Sequence, residues 1–217
     1  MRKKAIVVHS GGMDSSLCLA LAIREYTVEN VLSLSFMYNQ RHSNELQQAA
    51  FICNEWGVDH LVLNIDCLSE ITDNALINRN KKIEYTDGKP PNTLVVGRNG
   101  LMARIAAIHA ESLGAHTIYM GVIGVDGNVS GYRDCNRTYM DLVEKALQID
   151  LNDKEFTIET PLVEMTKADT MRLGEELGVL EFLLEHTISC YEGLRREGCG
   201  LCPACKLRKQ GLDEYLR

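Results

Sequence analysis

The chain has 217 residues, of which 45% are hydrophobic and 24% are charged, and its formal net charge is −7. This length and apolar content suffice for one domain with a full core, which excludes disordered and fibrous classes of protein. Because the net charge is negative and the sequence holds no basic run, we expect small-molecule partners and no extensive nucleic-acid binding.

The N-terminal apolar run Ala5–Val8 is too short for the core of a signal peptide or for a membrane span. We therefore expect a cytoplasmic protein with no membrane partner. In a reducing compartment, the eight cysteines are expected to be thiols or metal ligands rather than disulfides.

Short apolar runs alternate along the chain with longer segments whose apolar residues lie three and four positions apart. The pattern predicts strands at 4–9, 31–37, 61–65, 117–122 and 156–160, and helices at 16–26, 43–56, 100–113, 137–149 and 167–177. This alternation predicts an α/β fold with a doubly wound, mostly parallel sheet and helices on both faces. Ligands of such sheets bind beyond the carboxyl ends of the strands, which directs attention to the loops at 9–16, 38–42 and 122–135.

Two segments depart from this alternation. Residues 66–93 lack a clean period and hold the turn-forming run Asp87–Asn92, so we expect a mobile excursion there. After Glu185 the composition changes to glycine, cysteine and basic residues. We therefore predict an α/β domain at 1–185 and an appended metal-bound lobe at 186–217.

A glycine-rich loop directly follows the first predicted strand and opens a helix. It comprises His9, Ser10, Gly11, Gly12, Met13, Asp14, Ser15 and Ser16. Its glycines allow close backbone approach to a ligand, while small hydroxyl residues and a helix N-terminus favour a bound phosphate. The lysine of a Walker loop is absent. The loop is similar instead to the Ser-Gly-Gly-x-Asp-Ser pyrophosphatase loop (PP-loop) of enzymes that split ATP between its α and β phosphates, so we expect these eight residues to bind ATP.

Asp14 is the acidic residue of this loop. Its carboxylate is a candidate ligand for the Mg²⁺ that accompanies ATP, because hard cations prefer oxygen ligands. The alternative is a simple helix cap.

Four cysteines lie close together near the C-terminus with the spacing Cys-x8-Cys-x2-Cys-x2-Cys: Cys190, Cys199, Cys202 and Cys205. Four thiolates can close a tetrahedral shell around a structural Zn²⁺. An iron–sulfur cluster accepts the same number of thiolates. Because nothing else in the sequence indicates electron transfer, zinc is favoured. Cys135 has no visibly paired base, so a catalytic role for it is not expected.

The chain resembles the family of 7-cyano-7-deazaguanine (preQ0) synthases, QueC, or a QueC-like paralogue, over essentially its full length. The landmarks occur in the family's order at 10–15, 38–42, 97–99, 130–135, 160–162, 190–193 and 198–208. The resemblance implies a PP-loop ATPase of the adenine-nucleotide-hydrolase type and a homodimer. It also implies a reaction in which 7-carboxy-7-deazaguanine is adenylated, attacked by ammonia, dehydrated and released as the nitrile, in queuosine biosynthesis.

The same resemblance suggests roles for polar residues outside the glycine loop. Arg98 would neutralise charge on phosphate or carboxylate, and Lys167 at a helix start would approach phosphate, so both join Asp14 as catalytic candidates. The residues expected to bind the substrate are Gln40, Arg41, His42, Arg98, Asn99, Tyr132 and Asp134. Solvated roles are the alternative for 40–42 and Lys167, and a capping role is the alternative for Asn99.

The chain departs from the family at one loop and at two positions of the glycine loop. Residues 123–129 lack the family's usual acidic residue and are longer, Arg133 replaces a proline, and His9 and Met13 replace Phe and Gln. Adenylation is compatible with these changes, whereas the second half-reaction is affected by them. A different acceptor, such as the amine of another protein in a defence system, would give an amide instead of a nitrile.

Two further classes compete with this interpretation. A PP-loop tRNA thiolase would show paired catalytic cysteines and an RNA-binding extension, and neither is apparent. A zinc-ribbon interaction module without ATP would leave the glycine loop unexplained and would tolerate the loss of Asp14.

Overall fold

This computed structural model describes residues 2–38, 44–75, 77, 80–81, 92–124 and 132–217. The strands form one sheet in which every pair is parallel, in the order β3-β2-β1-β4-β5. They are β1 (Ala5–Val8), β2 (Val31–Met37), β3 (Asp59–Asn64), β4 (Thr117–Met120) and β5 (Thr157–Glu159). All five predicted strands are present, so the predicted parallel sheet is confirmed.

Helices connect the strands and cover the sheet. They are α1 (Met13–Tyr26), α2 (Asn44–Trp56), α3 (Cys67–Ile71), α4 (Arg98–Leu113), α5 (Arg137–Asp150), α6 (Lys167–Glu176), α7 (Leu180–His186) and α8 (Pro203–Tyr215). The five predicted helices are confirmed, and a 3-10 turn at Val28–Asn30 leads into β2. Helix α3 lies where an irregular excursion was expected, and that part of the expectation was wrong. The run 87–91 lies outside the described residues.

The core has two layers because successive residues of a buried strand point to opposite faces of the sheet. Ile6 of β1 belongs to one cluster and Val7 to the other, and both are fully buried. On the Ile6 face, α4 presents a stripe of fully buried alanines, namely Ala103, Ala106, Ala107 and Ala110. These small side chains let α4 approach the sheet closely.

The strand order reverses between the adjacent strands β1 and β4: the chain passes from β1 through β2 to β3 at one edge of the sheet, and from β4 to β5 at the other edge. The loop after β1 therefore lies at the switch point where parallel α/β sheets bind ligands. Among the described residues, no helix is both long and apolar enough to cross a membrane.

The C-terminal segment returns to the α/β part through α8, which packs against α6. The contact is close, because a Cβ added to Gly211 would lie 2.4 Å from the Cβ of Lys167. A division of the chain at residue 185 stays a prediction.

Candidate active site and cysteine cluster

The glycine loop forms a tight turn between β1 and α1. Gly11 has φ +80°, and a Cβ added there would lie 2.3 Å from the carbonyl oxygen of Glu45 and 2.8 Å from the backbone nitrogen of Ala49. Residues with a side chain disfavour this region of φ, and the start of α2 leaves no room for one. The sequence therefore needs glycine at position 11 so that α2 can close against the loop.

Hydroxyl groups brace the loop from within. The Ser15 hydroxyl accepts from the Ser10 backbone N–H at 3.1 Å and donates to the Gly12 carbonyl at 3.1 Å. Ser16 donates to the same carbonyl at 2.8 Å. In the described part of the chain, no side chain caps the first turn of α1 at Gly12. The N-terminal amides and dipole of α1 are thus directed at the loop, which favours a bound anion such as a phosphate.

His9 and Met13 are buried, with exposures of 1% and 3%. The His9 ring nitrogens lie 2.9 Å from the Ser16 hydroxyl and 3.0 Å from the Ser33 hydroxyl. Burial lowers the pKa of His9 to about 3, so the ring is neutral at physiological pH. Both side chains are buried, so any contact with ATP at these two positions would involve the backbone, and their assignment to the ATP-binding set stays a prediction.

Asp14 and Lys167 meet at the start of α1. The Lys167 ammonium donates to Asp14 Oδ2 at 2.6 Å, while Asp14 Oδ1 is buried with no hydrogen-bond partner among the described residues. Lys167 is placed by a capping box in which Thr166 and Asp169 bond each other at the start of α6. Because Gly12 is the N-cap of α1, Asp14 does not act as a simple cap. Its unpaired oxygen is suited to a metal cation.

Arg98 begins α4 and faces the end of β2. Its guanidinium donates to the Tyr38 hydroxyl at 3.0 Å, and its central carbon lies 5.9 Å from the centroid of the Tyr38 ring. Nearby Tyr38, then Tyr132 and Asp134, raise the pKa of Arg98 above its ordinary value. The structure therefore brings the positive charge of Arg98 close to Tyr38, Tyr132 and Asp134, which are all distant from Arg98 in the sequence.

Asp134 is buried at 6% exposure and fixes the start of α4. Its Oδ2 accepts from the Asn99 backbone N–H at 3.1 Å, and the Asn99 amide donates to the Cys135 sulfur at 3.3 Å. The Tyr132 hydroxyl lies 2.6 Å from the Thr93 hydroxyl. The predicted substrate residues Arg98, Asn99, Tyr132 and Asp134 are thus brought together. Burial raises the pKa of Cys135 to about 11, which disfavours a nucleophilic thiolate.

The remaining predicted substrate residues are Gln40, Arg41 and His42, and they lie outside the described residues, as do 125–131 of the divergent loop.

Sequence reasoning missed Glu45 as a site residue. It is half-buried in the first turn of α2, and burial raises the pKa of its carboxyl to about 7 while Arg98 acts in the opposite direction. One acidic residue in the first turn of a helix is common, because it complements the helix dipole. Its special environment comes from tertiary packing, which no sequence signal indicated.

Arg208 connects the C-terminal segment to this region. It is 9% exposed, and its guanidinium donates to the Leu184 carbonyl at 2.6 Å and to the Thr187 hydroxyl at 3.2 Å. The negative charge of Asp14 also acts on Arg208, although burial outweighs it and lowers the arginine pKa. The sequence identified this residue only as part of a landmark.

The four cysteines of the C-terminal segment form a compact cluster, with all sulfur atoms within 4.8 Å of one another. Four thiolates about 2.3 Å from one zinc ion would lie about 3.8 Å apart, so the cluster fits a single tetrahedral ion. Backbone N–H groups point at the sulfurs, including those of Cys202 and Leu201 toward Cys199 at 3.3 and 3.4 Å. These bonds lower the pKa of Cys199 to about 6, as a thiolate ligand requires.

Comparison with known proteins agrees with this fold and with the landmarks of the sequence. A family model described as queuosine biosynthesis protein QueC matches residues 4–216. The chain is similar to the structure of NMN synthetase from Francisella tularensis, with 17% identity and a TM-score of 0.51, covering 98% of this chain and 78% of the other. It is also similar to the U34-tRNA thiolase NcsA from Methanococcus maripaludis with its [4Fe-4S] cluster. There the identity is 16% and the TM-score 0.52, covering 98% of this chain and 65% of the thiolase.

Proposed function

Since the chain belongs to the QueC family of queuosine biosynthesis proteins, we propose that it adenylates 7-carboxy-7-deazaguanine and converts it with ammonia to 7-cyano-7-deazaguanine. The family and the fold indicate an enzyme that uses ATP. The substrate, the C–N bond-forming ligase activity and the product belong to the proposal. A homodimeric assembly and a cytoplasmic location are also part of the proposal, and both rest on the sequence analysis alone.

The observation that carries the proposal is the convergence of Lys167 and Asp14 beside the uncapped start of α1. In the proposed first step, a carboxylate oxygen of the substrate attacks the α-phosphorus of ATP and pyrophosphate leaves. The loop 10–16 and the α1 dipole would hold the phosphates, and Asp14 would hold the accompanying Mg²⁺ through its unpaired oxygen. Lys167 would then neutralise charge that develops on the departing pyrophosphate.

The substrate would bind next to this loop, where Arg98 supplies a positive charge for its carboxylate or for phosphate. Tyr132 has an aromatic ring for stacking on the deazapurine, and Asp134 and Asn99 support the loop that carries it. Gln40, Arg41 and His42 complete the proposed substrate-binding set.

In the proposed second step, ammonia displaces AMP from the adenylate to give an amide, and loss of water from the amide gives the nitrile. The divergent loop at 123–133 supports one alternative, in which the acyl group of the adenylate is transferred to another amine, such as an amine of a partner protein. AMP then leaves, and the product stays an amide. A PP-loop tRNA-modifying role is the more distant alternative. It gains no support from Cys53 or Cys135, because burial raises the pKa of both thiols to about 11.

Mass spectrometry of the small molecules tests this function directly. We expect protein incubated with ATP, Mg²⁺, 7-carboxy-7-deazaguanine and ammonium to yield AMP, pyrophosphate and the nitrile. Adenylate or amide without nitrile would favour the alternative acceptor. If ATP is not consumed with this carboxylate, the proposed substrate is wrong.

We further propose that the cysteine cluster binds one structural Zn²⁺. The separation of the sulfur atoms supports one ion over an iron–sulfur cluster, because a cluster distributes its ligands over several metal atoms. A closed shell of four thiolates leaves no position for substrate, so the metal would stabilise the segment around it and thereby the position of Arg208.

Gly198 and Gly200 provide a matched test of the metal site. Both have positive φ (+66° and +67°), but a Cβ at Gly198 would lie 2.4 Å from the Cys205 sulfur, whereas nothing lies within 4 Å at Gly200. We expect Gly198→Ala to lose most of the bound metal and Gly200→Ala to retain about one zinc ion per chain. The metal content of both purified variants is measured by mass spectrometry. Equal zinc content in the two variants would contradict the cluster geometry, and a brown, iron-containing protein would contradict zinc.

A further inference from the structure

Two polar residues with unusual surroundings lie at the start of α2. Glu45 and Gln48 are three positions apart, which places them on the same side of the helix. This part of α2 adjoins the glycine loop, as shown by the close approach of the Glu45 carbonyl and the Ala49 nitrogen to Gly11. The two residues are therefore next to the proposed adenylation site.

Gln48 is 1% exposed, and neither its amide oxygen nor its amide nitrogen has a hydrogen-bond partner in the described part of the chain. Leaving such a group unpaired is unfavourable, so buried amides in proteins normally have hydrogen-bond partners. One turn before it, Asn44 donates to the Gly193 carbonyl at 3.2 Å, and Phe51 after it contacts His186 with ring centroids 5.0 Å apart. The part of α2 around Gln48 thus contacts both the glycine loop and the segment 186–193, and the buried Gln48 amide has spare donors and an acceptor for a small polar ligand.

The Glu45 carboxyl is half-buried and has no hydrogen bond to a described residue. Burial raises its pKa to about 7, and Arg98 on α4, itself bonded to Tyr38 at the end of β2, is the described charged group that lowers it. Residues 39–43, directly before α2, are outside the described part. A carboxylate whose pKa lies near neutrality is suited to accept a proton during a reaction.

We propose that Glu45 and Gln48 form the site for the amine that attacks the adenylate, with Gln48 binding its N–H and Glu45 accepting its proton. This inference rests on the proposed function and assigns its second step to particular residues. The ligand is an unprotonated amine, either ammonia or the primary amine of a larger acceptor.

The step balances without any redox partner. The nitrogen lone pair forms a bond to the carbonyl carbon of the adenylate, and the bond from that carbon to the bridging oxygen breaks. The electron pair of the broken bond leaves with AMP. One proton moves from the nitrogen to the Glu45 carboxylate, so the product nitrogen is a neutral amide.

Separate measurement of the two half-reactions tests the role of Glu45. Adenylation is followed by exchange of labelled pyrophosphate into ATP with the carboxylate present and no amine, and the second step by product formation with ammonium. We expect Glu45→Gln to keep exchange within about 2-fold and to lower product formation about 10²–10³-fold. The matched control is Glu55→Gln, on the exposed end of the same helix, which is expected to change neither.

The pH profile gives a second readout that a structural role would not move. At a fixed concentration of unprotonated amine, the wild-type rate of product formation should rise as the pH passes through about 7, where Glu45 loses its proton. In Glu45→Gln this rise should be absent.

Gln48→Met tests the binding of the amine, because methionine fills a similar volume without an amide. We expect the KM for ammonium to rise about 10-fold, with kcat and pyrophosphate exchange little changed. Gln47→Met, at the exposed neighbouring position, is the control. Repeating the assay with glycinamide in place of ammonium distinguishes the source of the amine: a preference for glycinamide would indicate a larger acceptor.

Several results would overturn the inference. Exchange reduced as strongly as product formation would place Glu45 in adenylation or in folding, and unchanged product formation with an unchanged pH profile would remove it from the second step. An unchanged KM in Gln48→Met would remove Gln48 from amine binding. If the wild-type protein itself shows no exchange, the proposed function fails, and this assignment fails with it.

Discussion

Asp14→Asn is expected to lower ATP-dependent pyrophosphate release about 10²–10³-fold, the range typical for loss of one preorganised electrostatic group. In the structure, one carboxylate oxygen of Asp14 accepts from Lys167 at 2.6 Å and the other is buried without a described partner. Asparagine fills the same volume but carries no charge. It must also point an NH₂ group either at the Lys167 ammonium or at the position proposed for Mg²⁺.

The matched control is Asp213→Asn, because Asp213 is also a helical carboxylate paired with a lysine, Lys209, but lies on the exposed side of α8. We expect this variant to release pyrophosphate at the wild-type rate. Both variants should keep the zinc proposed for the cysteine cluster and melt close to the wild-type temperature, since neither substitution affects that cluster. Unchanged turnover in Asp14→Asn would remove Asp14 from the active site.

The fold was predictable from the sequence to the extent that its elements bury a periodic apolar face. Strand β2 was predicted with its observed bounds because all residues of 31–36 are buried, so the apolar run coincides with the strand. The three helices that were missed lack such a signal. Helix α3 has five residues, α7 has seven, and α8 has few buried residues and begins at a proline within the cysteine motif.

Some parts of the candidate site were likewise predictable from the sequence, and others were not. The glycine loop and the cysteine cluster are contiguous in sequence, so their spacing alone indicates phosphate and metal binding. Glu45 and Gln48 have no local signal, because their properties arise only when α2 closes on the loop. The interior position of His9 was also unpredictable, since it depends on Ser33 of a neighbouring strand.

Gly11→Ala should have the largest effect on stability and activity together. The new methyl group would meet backbone atoms of α2 at 2.3 and 2.8 Å, and alanine is strained at φ +80°. The strain at positive φ costs about 1–2 kcal/mol and forced repacking about 1–3 kcal/mol more, so we expect a loss of about 2–5 kcal/mol in the free energy of unfolding. Urea unfolding measures this loss.

Gly57→Ala separates the two contributions, because Gly57 also has positive φ (+68°) and follows the other end of α2, but nothing lies within 4 Å of an added Cβ. We expect it to lose only the strain contribution, about 1–2 kcal/mol, and to bind ATP normally in calorimetry. Gly11→Ala should bind ATP weakly, because the glycine loop, the start of α2, or both must move to make room for the new methyl group. Equal losses in the two variants would mean that α2 yields easily at this contact. The close packing that places Glu45 beside the glycine loop would then not be a fixed feature of the protein.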